Sequence, residues 1–226
     1  MSAANKNVMN PLAKPALTTD PAEWLGDAHP LVAQLGTANG LTSVHQMAES
    51  LAARPITSPT ALRQFLTAYR DRILFPHELP AIRVAYDHAS RNELRELISY
   101  DQTLSSEPAL RSFATASQRI GSTQLQKLRP LRDERMVQRY LAAVETGEAH
   151  GWHTLVYGMT LVLYSLPLRQ GLLGYAQQTI RGFIHAAAKA RGWKESDCAN
   201  LFTEVCEPLA AECAEQFATQ SDAEKH

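Results

Sequence analysis

The stretch HGWHTLVYGMTLVLY, residues 150–164, decides the fold. Its second part, TLVYGMTLVLY, is rich in β-branched and aromatic residues, the composition of a strand. Read as a strand it would seed a sheet. Yet it runs for eleven residues, about twice the length of an ordinary strand. No alternating apolar run pairs with it through a hairpin turn. The length and the missing hairpin signals predict a buried helix instead. Gly147 and Gly151 ahead of it predict a turn, with His150, Trp152 and His153 at the helix entrance.

Outward from this segment the punctuation is helical. Asp20, Pro21 and Glu23 form a helix start of cap, N1 proline and box partner. SPTALRQFLTAYRDRILF, residues 58–75, repeats that grammar with Ser58 as cap and Pro59 at N1. Leu62, Phe65, Leu66, Tyr69 and Ile73 then recur at three- and four-residue steps, one apolar stripe. Pro76 is expected to end this helix. Further helices are expected over 78–88 and 92–104. Another should open at Pro108 and run to Leu128, with Leu110, Phe113, Ile120 and Leu128 inward. The next is marked by Met136, Tyr140 and Leu141 and closed by Gly147. After Pro167 comes a long helix, and a last helical stretch over 196–219 should break at Pro208. The expected architecture is all-α, a single-domain multi-helix bundle over 20–219. Polar tails are expected at 1–19 and 220–226.

Bulk composition narrows the function classes. With 22 basic and 23 acidic residues the net charge is -1, so no global field attracts nucleic acid or an anionic membrane. No segment reaches the roughly 20 apolar residues that span a bilayer. The run from Leu155 to Leu166 is too short and carries Gly158. The polar N-terminal stretch has no apolar leader core. A cytoplasmic protein is the expectation. Cys198, Cys206 and Cys213 are odd in number, clustered and without CxxC spacing, which argues against a disulfide framework or a zinc knuckle. They read as small buried apolar side chains.

The chemistry-bearing patterns are sparse. There is no GxxxxGK[ST] loop, no GxGxxG after a strand, no HExxH, no GxSxG and no paired ExxH set. His150 and His153 are the two histidines close enough to share a metal, but a third and fourth ligand are not nearby in sequence. A turn and helix entrance is the simpler reading. Arg129, Arg132, Arg135 and Arg139 are interleaved with Asp133 and Glu134, the pattern of a solvated helix face. No active site is evident, which favours a binding or scaffolding protein.

Several segments, in collinear order over about residues 30–190, resemble the urease accessory protein UreF family. HTLVYGMTLVLYSLPLRQGLLGYAQQTIRGFIHAA is similar to the family's His-Pro-Val-Val-Phe-Gly segment, its Gly-Leu-Pro-like turn and its long helix. His153, Val156, Tyr157 and Gly158 match the first. Leu166 and Pro167 match the turn, with Ser165 in place of its glycine. Tyr175, Ala186 and Ala187 match the long helix. Upstream, SQRIGSTQL matches the family helix through Ser117, Ile120 and Gly121. ELISYDQTLSSEPALR resembles the segment before it. GLTSVHQMAES keeps Gly40, Ser43 and Glu49. The chain departs from the family at 42–45, at Arg181 and Gly182, and at GWKE, residues 192–195.

The resemblance implies an all-α homodimer that catalyses no reaction. It implies binding to UreD (also called UreH), to the GTPase UreG and to apo-urease, in a complex that delivers nickel. It implies no stoichiometric metal or other cofactor on this chain. Glu49, His153, Tyr157, Gly158, Tyr175 and Arg181 are the partner-binding candidates it suggests. A divergent helical scaffold with another partner is the alternative, and a helical enzyme using His153 a more distant one. Independently, the long apolar segment 152–187 exceeds what one core helix needs, and surplus apolar surface on a helical protein usually meets another chain.

Overall fold

The computed structural model describes residues 56–214. The expected tails, the helix start at Asp20 and the candidate Glu49 lie outside the described residues. Within them the chain is helical, with no strand. The α-helices are α1 Pro59–Tyr69, α2 Leu79–Ser90, α3 Leu94–Ser105, α4 Ala114–Lys127, α5 Arg135–Thr146, α6 His153–Leu163, α7 Leu168–Arg191 and α8 Glu195–Cys206. The ambiguous segment is therefore α6, a helix. Nine of its eleven residues are buried, on all sides, as an uncharged helix at the centre of a bundle must be.

The start signal at Ser58 and Pro59 acts as the sequence predicts. The Ser58 hydroxyl accepts from the Ala61 N–H at 3.2 Å, with Pro59 in the first turn. Gly147 closes α5 in the left-handed conformation, φ 79°. A turn at 207–208 separates α8 from the helical residues 209–214, where Pro208 was expected to break the chain.

Three boundaries differ. Pro76 does not end the first helix. Arg70–Glu78 forms a π-helix that carries the chain without a break from α1 into α2. The Leu79 N–H bonds back to Leu74 O, five residues away. Proline lacks the donor an α-helix needs and crowds the carbonyl four residues back. Spreading the ladder to five-residue steps accommodates both defects. The second difference follows Pro108. Pro108–Phe113 is a 3-10 helix, and the α-helix begins only at Ala114. Asn92 sits in the left-handed region, φ 57°, so α3 starts at Leu94.

The core is built around α6. Its largest contact is with α2, followed by α4. Gly158 sets the α2 contact: a Cβ there would lie 2.4 Å from the Ile82 carbonyl oxygen and 2.9 Å from Ala85 Cβ. Only the absence of a side chain lets the two backbones approach this closely. Phe65 and Tyr69 each pack edge-to-face on Phe183, with centroids 5.5 and 5.0 Å away, and join α1 to α7. The apolar residues of α6, and Leu172, Ala176, Ile180, Phe183 and Ile184 of α7, lie in this same core. The apolar excess of 152–187 is thus largely buried within one chain. It does not by itself argue for a dimer.

Candidate functional site

The entrance to α6 is held by a buried carboxylate. Asp101 on α3 is fully buried. Its Oδ2 accepts from the Tyr140 hydroxyl at 2.7 Å and the Gly151 N–H at 2.9 Å. Its Oδ1 accepts from the His150 N–H at 2.7 Å and from His150 Nδ1 at 3.0 Å. Beside it Trp152 Nε1 donates to Ser105 Oγ at 2.9 Å. A buried carboxylate is tolerated when several donors face it. Here those donors come from the turn and from α5, so one side chain fixes the 150–152 turn against two helices. Gly121 on α4 completes the fit. A Cβ there would lie 2.0 Å from Gly151 O and 2.7 Å from His153 N.

One turn further, His153 opens a second buried chain of hydrogen bonds. Its Nδ1 lies 2.6 Å from Ser117 Oγ and its Nε2 lies 2.6 Å from Tyr175 Oη. The His153 N–H also reaches Ser117 Oγ at 3.4 Å. Tyr175 hydrogen-bonds Glu78, and Thr179 hydrogen-bonds Tyr175. The Tyr69 hydroxyl donates to Glu78 Oε2. One assignment gives every hydrogen an acceptor. Ser117 O–H donates to Nδ1, Nε2–H donates to Tyr175, and Tyr175 and Tyr69 both donate to a Glu78 carboxylate. The path ties α4, α6, α7 and the π-helix together. Burial, and then the nearby Glu78 charge, push the Tyr69 and Tyr175 phenols far above their ordinary pKa.

The sequence candidates separate into interior and surface. His153, Tyr157 and Tyr175 are 1–3% exposed, and Gly158 is buried. Tyr157 donates to Gly171 O at 2.9 Å. Any influence of these four on another protein passes through the fold they hold. Arg181 is the candidate on the surface. It lies over the Phe202 ring, 4.8 Å from its centroid, in a groove of about 670 Å³ between α7 and α8. The same groove takes in Gly192 and Trp193, so the family departures at 181–182 and 192–195 meet at one place.

The histidine pair does not converge on a shared point. Each ring is engaged separately, His150 by Asp101 and His153 by Ser117 and Tyr175. Among the described residues no group of three or more His, Cys, Asp or Glu could hold a metal ion. Cys206 and Cys213 are buried and Cys198 half-buried, and none is in a disulfide. Burial pushes the Cys206 thiol up to about 12 and the Cys213 thiol up to about 11. Neither is a ready nucleophile at neutral pH. Arg129 pairs with Glu145, and Arg132, Arg135 and Arg139 are exposed, a solvated face as read. The sequence missed Asp101 and Glu78. They carry no motif, and only the fold brings them to their donors.

The described residues form an all-α bundle in which Asp101 and His153 are hydrogen-bonded within their own chain, with an arginine and aromatic rings in one surface groove. The UreF family model matches residues 56–205, more than half of the 226-residue chain. The chain belongs to the UreF family of urease accessory proteins. A comparison with curated proteins gave no match. Among the described residues no helix is long and apolar enough to cross a membrane.

Proposed function

We propose that this chain is a non-catalytic adaptor in urease maturation. It works as a homodimer in the cytoplasm. It binds a UreD/UreH-type protein and a UreG-type GTPase, and their complex delivers nickel to apo-urease. Nickel is the cargo of the complex, and this chain keeps no resident cofactor. It binds neither nucleic acid nor a membrane. The observation that carries this reading is the family match, which spans the helical domain from before α1 almost to the end of α8. The interior supports it. His153, the residue an enzyme reading would use, is 1% exposed, out of reach of a substrate in solution.

The test is genetic and biochemical together. Removing the gene from its native host should leave urease protein present but low in nickel and activity. The wild-type gene should restore both. Tagged protein should retain the UreD/UreH-type and UreG-type proteins of the same genome, and light scattering should give a dimer. Urease at full nickel content in the deletion strain would sink the reading. The family departures at Arg181 and at 192–195, brought together in one groove, favour a second reading, a UreF-like scaffold with a different partner. Co-purification of another protein in place of the accessory set would establish that one.

A further inference from the structure

Five histidines lie among the described residues, and the surroundings of one set it apart. His153 has both ring nitrogens engaged inside the core. His88 faces Glu93, but that carboxylate is 35% exposed and also accepts from the Arg91 guanidinium. His77 and His185 have no carboxylate on their rings among the described residues. His150 combines a wholly buried carboxylate with an open ring: the Asp101 side chain is 0% exposed and the His150 side chain 44%. The proton positions follow from the donor set. The Asp101 carboxylate only accepts, and it takes the Tyr140 hydroxyl and the N–H groups of His150 and Gly151. Nδ1 of His150, 3.0 Å from Oδ1, therefore carries its hydrogen. The neutral ring then has its lone pair on Nε2, and no bond to Nε2 occurs among the described residues. Nε2 lies on the ring edge away from the buried carboxylate, on the side that solvent reaches. The His150 N–H also binds Oδ1, at 2.7 Å, so backbone and ring are held by the same oxygen and the lone pair is aimed as well as exposed. An imidazole fixed by a carboxylate on one nitrogen and open on the other is the arrangement of a metal-ligating histidine.

We infer that His150 Nε2 is an open coordination point for a divalent first-row metal ion of the class that imidazole suits, such as nickel, copper or zinc. It supplies one ligand. Among the described residues no group of three or more His, Cys, Asp or Glu could hold an ion, so the other positions are filled from outside this chain. The ion stays only while they are filled, which is the behaviour of a point of passage and not of a resident site. The oriented donor stands on the geometry of Asp101 and His150. That the ion served is nickel rests on the adaptor reading.

The test follows the histidine ring signals of the full chain by nuclear magnetic resonance while nickel(II) alone is added at fixed neutral pH. His150→Gln assigns the His150 signals, and bound nickel, being paramagnetic, broadens the ring it touches. His150 should broaden at about 10-fold lower nickel than His185, which is exposed but has no carboxylate behind it. Asp101→Asn should remove that lead, since a carboxylate behind a ligating histidine contributes about 10–100-fold in affinity. The ring nitrogen shifts of the wild type should place the hydrogen on Nδ1. Hydrogen on Nε2, or no lead over His185, overturns the inference whether or not Asp101→Asn folds. A lead that survives in folded Asp101→Asn also overturns it, because exposure alone would then explain the binding. In the native host, His150→Ala keeps the backbone N–H that reaches Asp101 and should slow the loading of urease at limiting nickel. Loading at the wild-type rate overturns a role for His150 in nickel transfer and leaves the adaptor reading standing. Full nickel in the urease of a strain lacking the gene sinks the adaptor reading, and the ring measurement still decides the donor.

Discussion

Two carboxylates, Asp101 and Glu78, do at the residue scale what no motif announces. Each is buried, and each gathers donors from elements distant in sequence. Tyr175 stands between His153 and Glu78, so its hydroxyl is both acceptor and donor. Tyr175→Phe removes it and leaves two buried polar groups short of a partner, at about 1–3 kcal/mol for an orphaned group. Tyr157 donates to the Gly171 carbonyl oxygen, and Tyr157→Phe should cost about 1 kcal/mol. Urea unfolding of both variants checks the order. Equal losses would mean that Tyr175 is not a bridge. His153 was legible as the residue at the entrance of a helix, but its partners were not. Ser117 and Tyr175 are 36 and 22 residues away, and hydrogen bonds at that range leave no periodic trace in a sequence.

At the scale of elements, the signals that worked are those with a local cause. Ser58 caps α1, and Gly147 closes α5, because a cap needs only its own turn. Pro76 failed as a stop because the alternative to ending a helix, a switch to five-residue steps, depends on what packs around it. The connection from α6 to α7 shows a local rule broken by the sequence itself. Ser165 takes φ 56°, the left-handed region that favours glycine, at the position where the family pattern has glycine. A side chain there costs about 1–2 kcal/mol, offset in part by the greater freedom glycine has when unfolded. Ser165→Gly should therefore raise stability by roughly 0.5–1 kcal/mol, seen as a higher melting temperature. A lower one would refute the strain. Gly158 predicts the opposite sign. Gly158→Ala places a methyl group 2.4 Å from the Ile82 carbonyl, and the backbones of α2 and α6 must part. The loss should be about 1–3 kcal/mol or more, and tolerance of alanine without loss would show that the contact is looser than this.

At the scale of the whole molecule, the buried phenols and thiols make alkaline stability a property of the fold as one unit. Tyr69, Tyr140 and Tyr175 are raised far above the ordinary phenol range by burial first, and by Glu78 or Asp101 second. Tyr157 is raised by burial, and Cys206 and Cys213 by burial to about 12 and about 11. For each group the folded state keeps its proton to a higher pH than the unfolded state. Between the unfolded and folded values the unfolded chain therefore binds fewer protons, so stability falls as pH rises. The contribution is complete below about pH 8.5, where unfolded thiols begin to ionise. It is lost first through the cysteines and then, above about pH 10, through the tyrosines. Tyr100 and Tyr164 are only partly buried, and burial raises them less, so they should ionise gradually. Tyr69, Tyr140, Tyr157 and Tyr175 should ionise together, in one steep step that coincides with loss of helix. Tyrosinate absorbance and far-ultraviolet circular dichroism, followed on the same samples from pH 8 upward, make the comparison. A smooth titration of these four while the helices persist would show that solvent reaches the Tyr69–Glu78–Tyr175 cluster in the folded chain, and the closed interior described for this protein would be wrong.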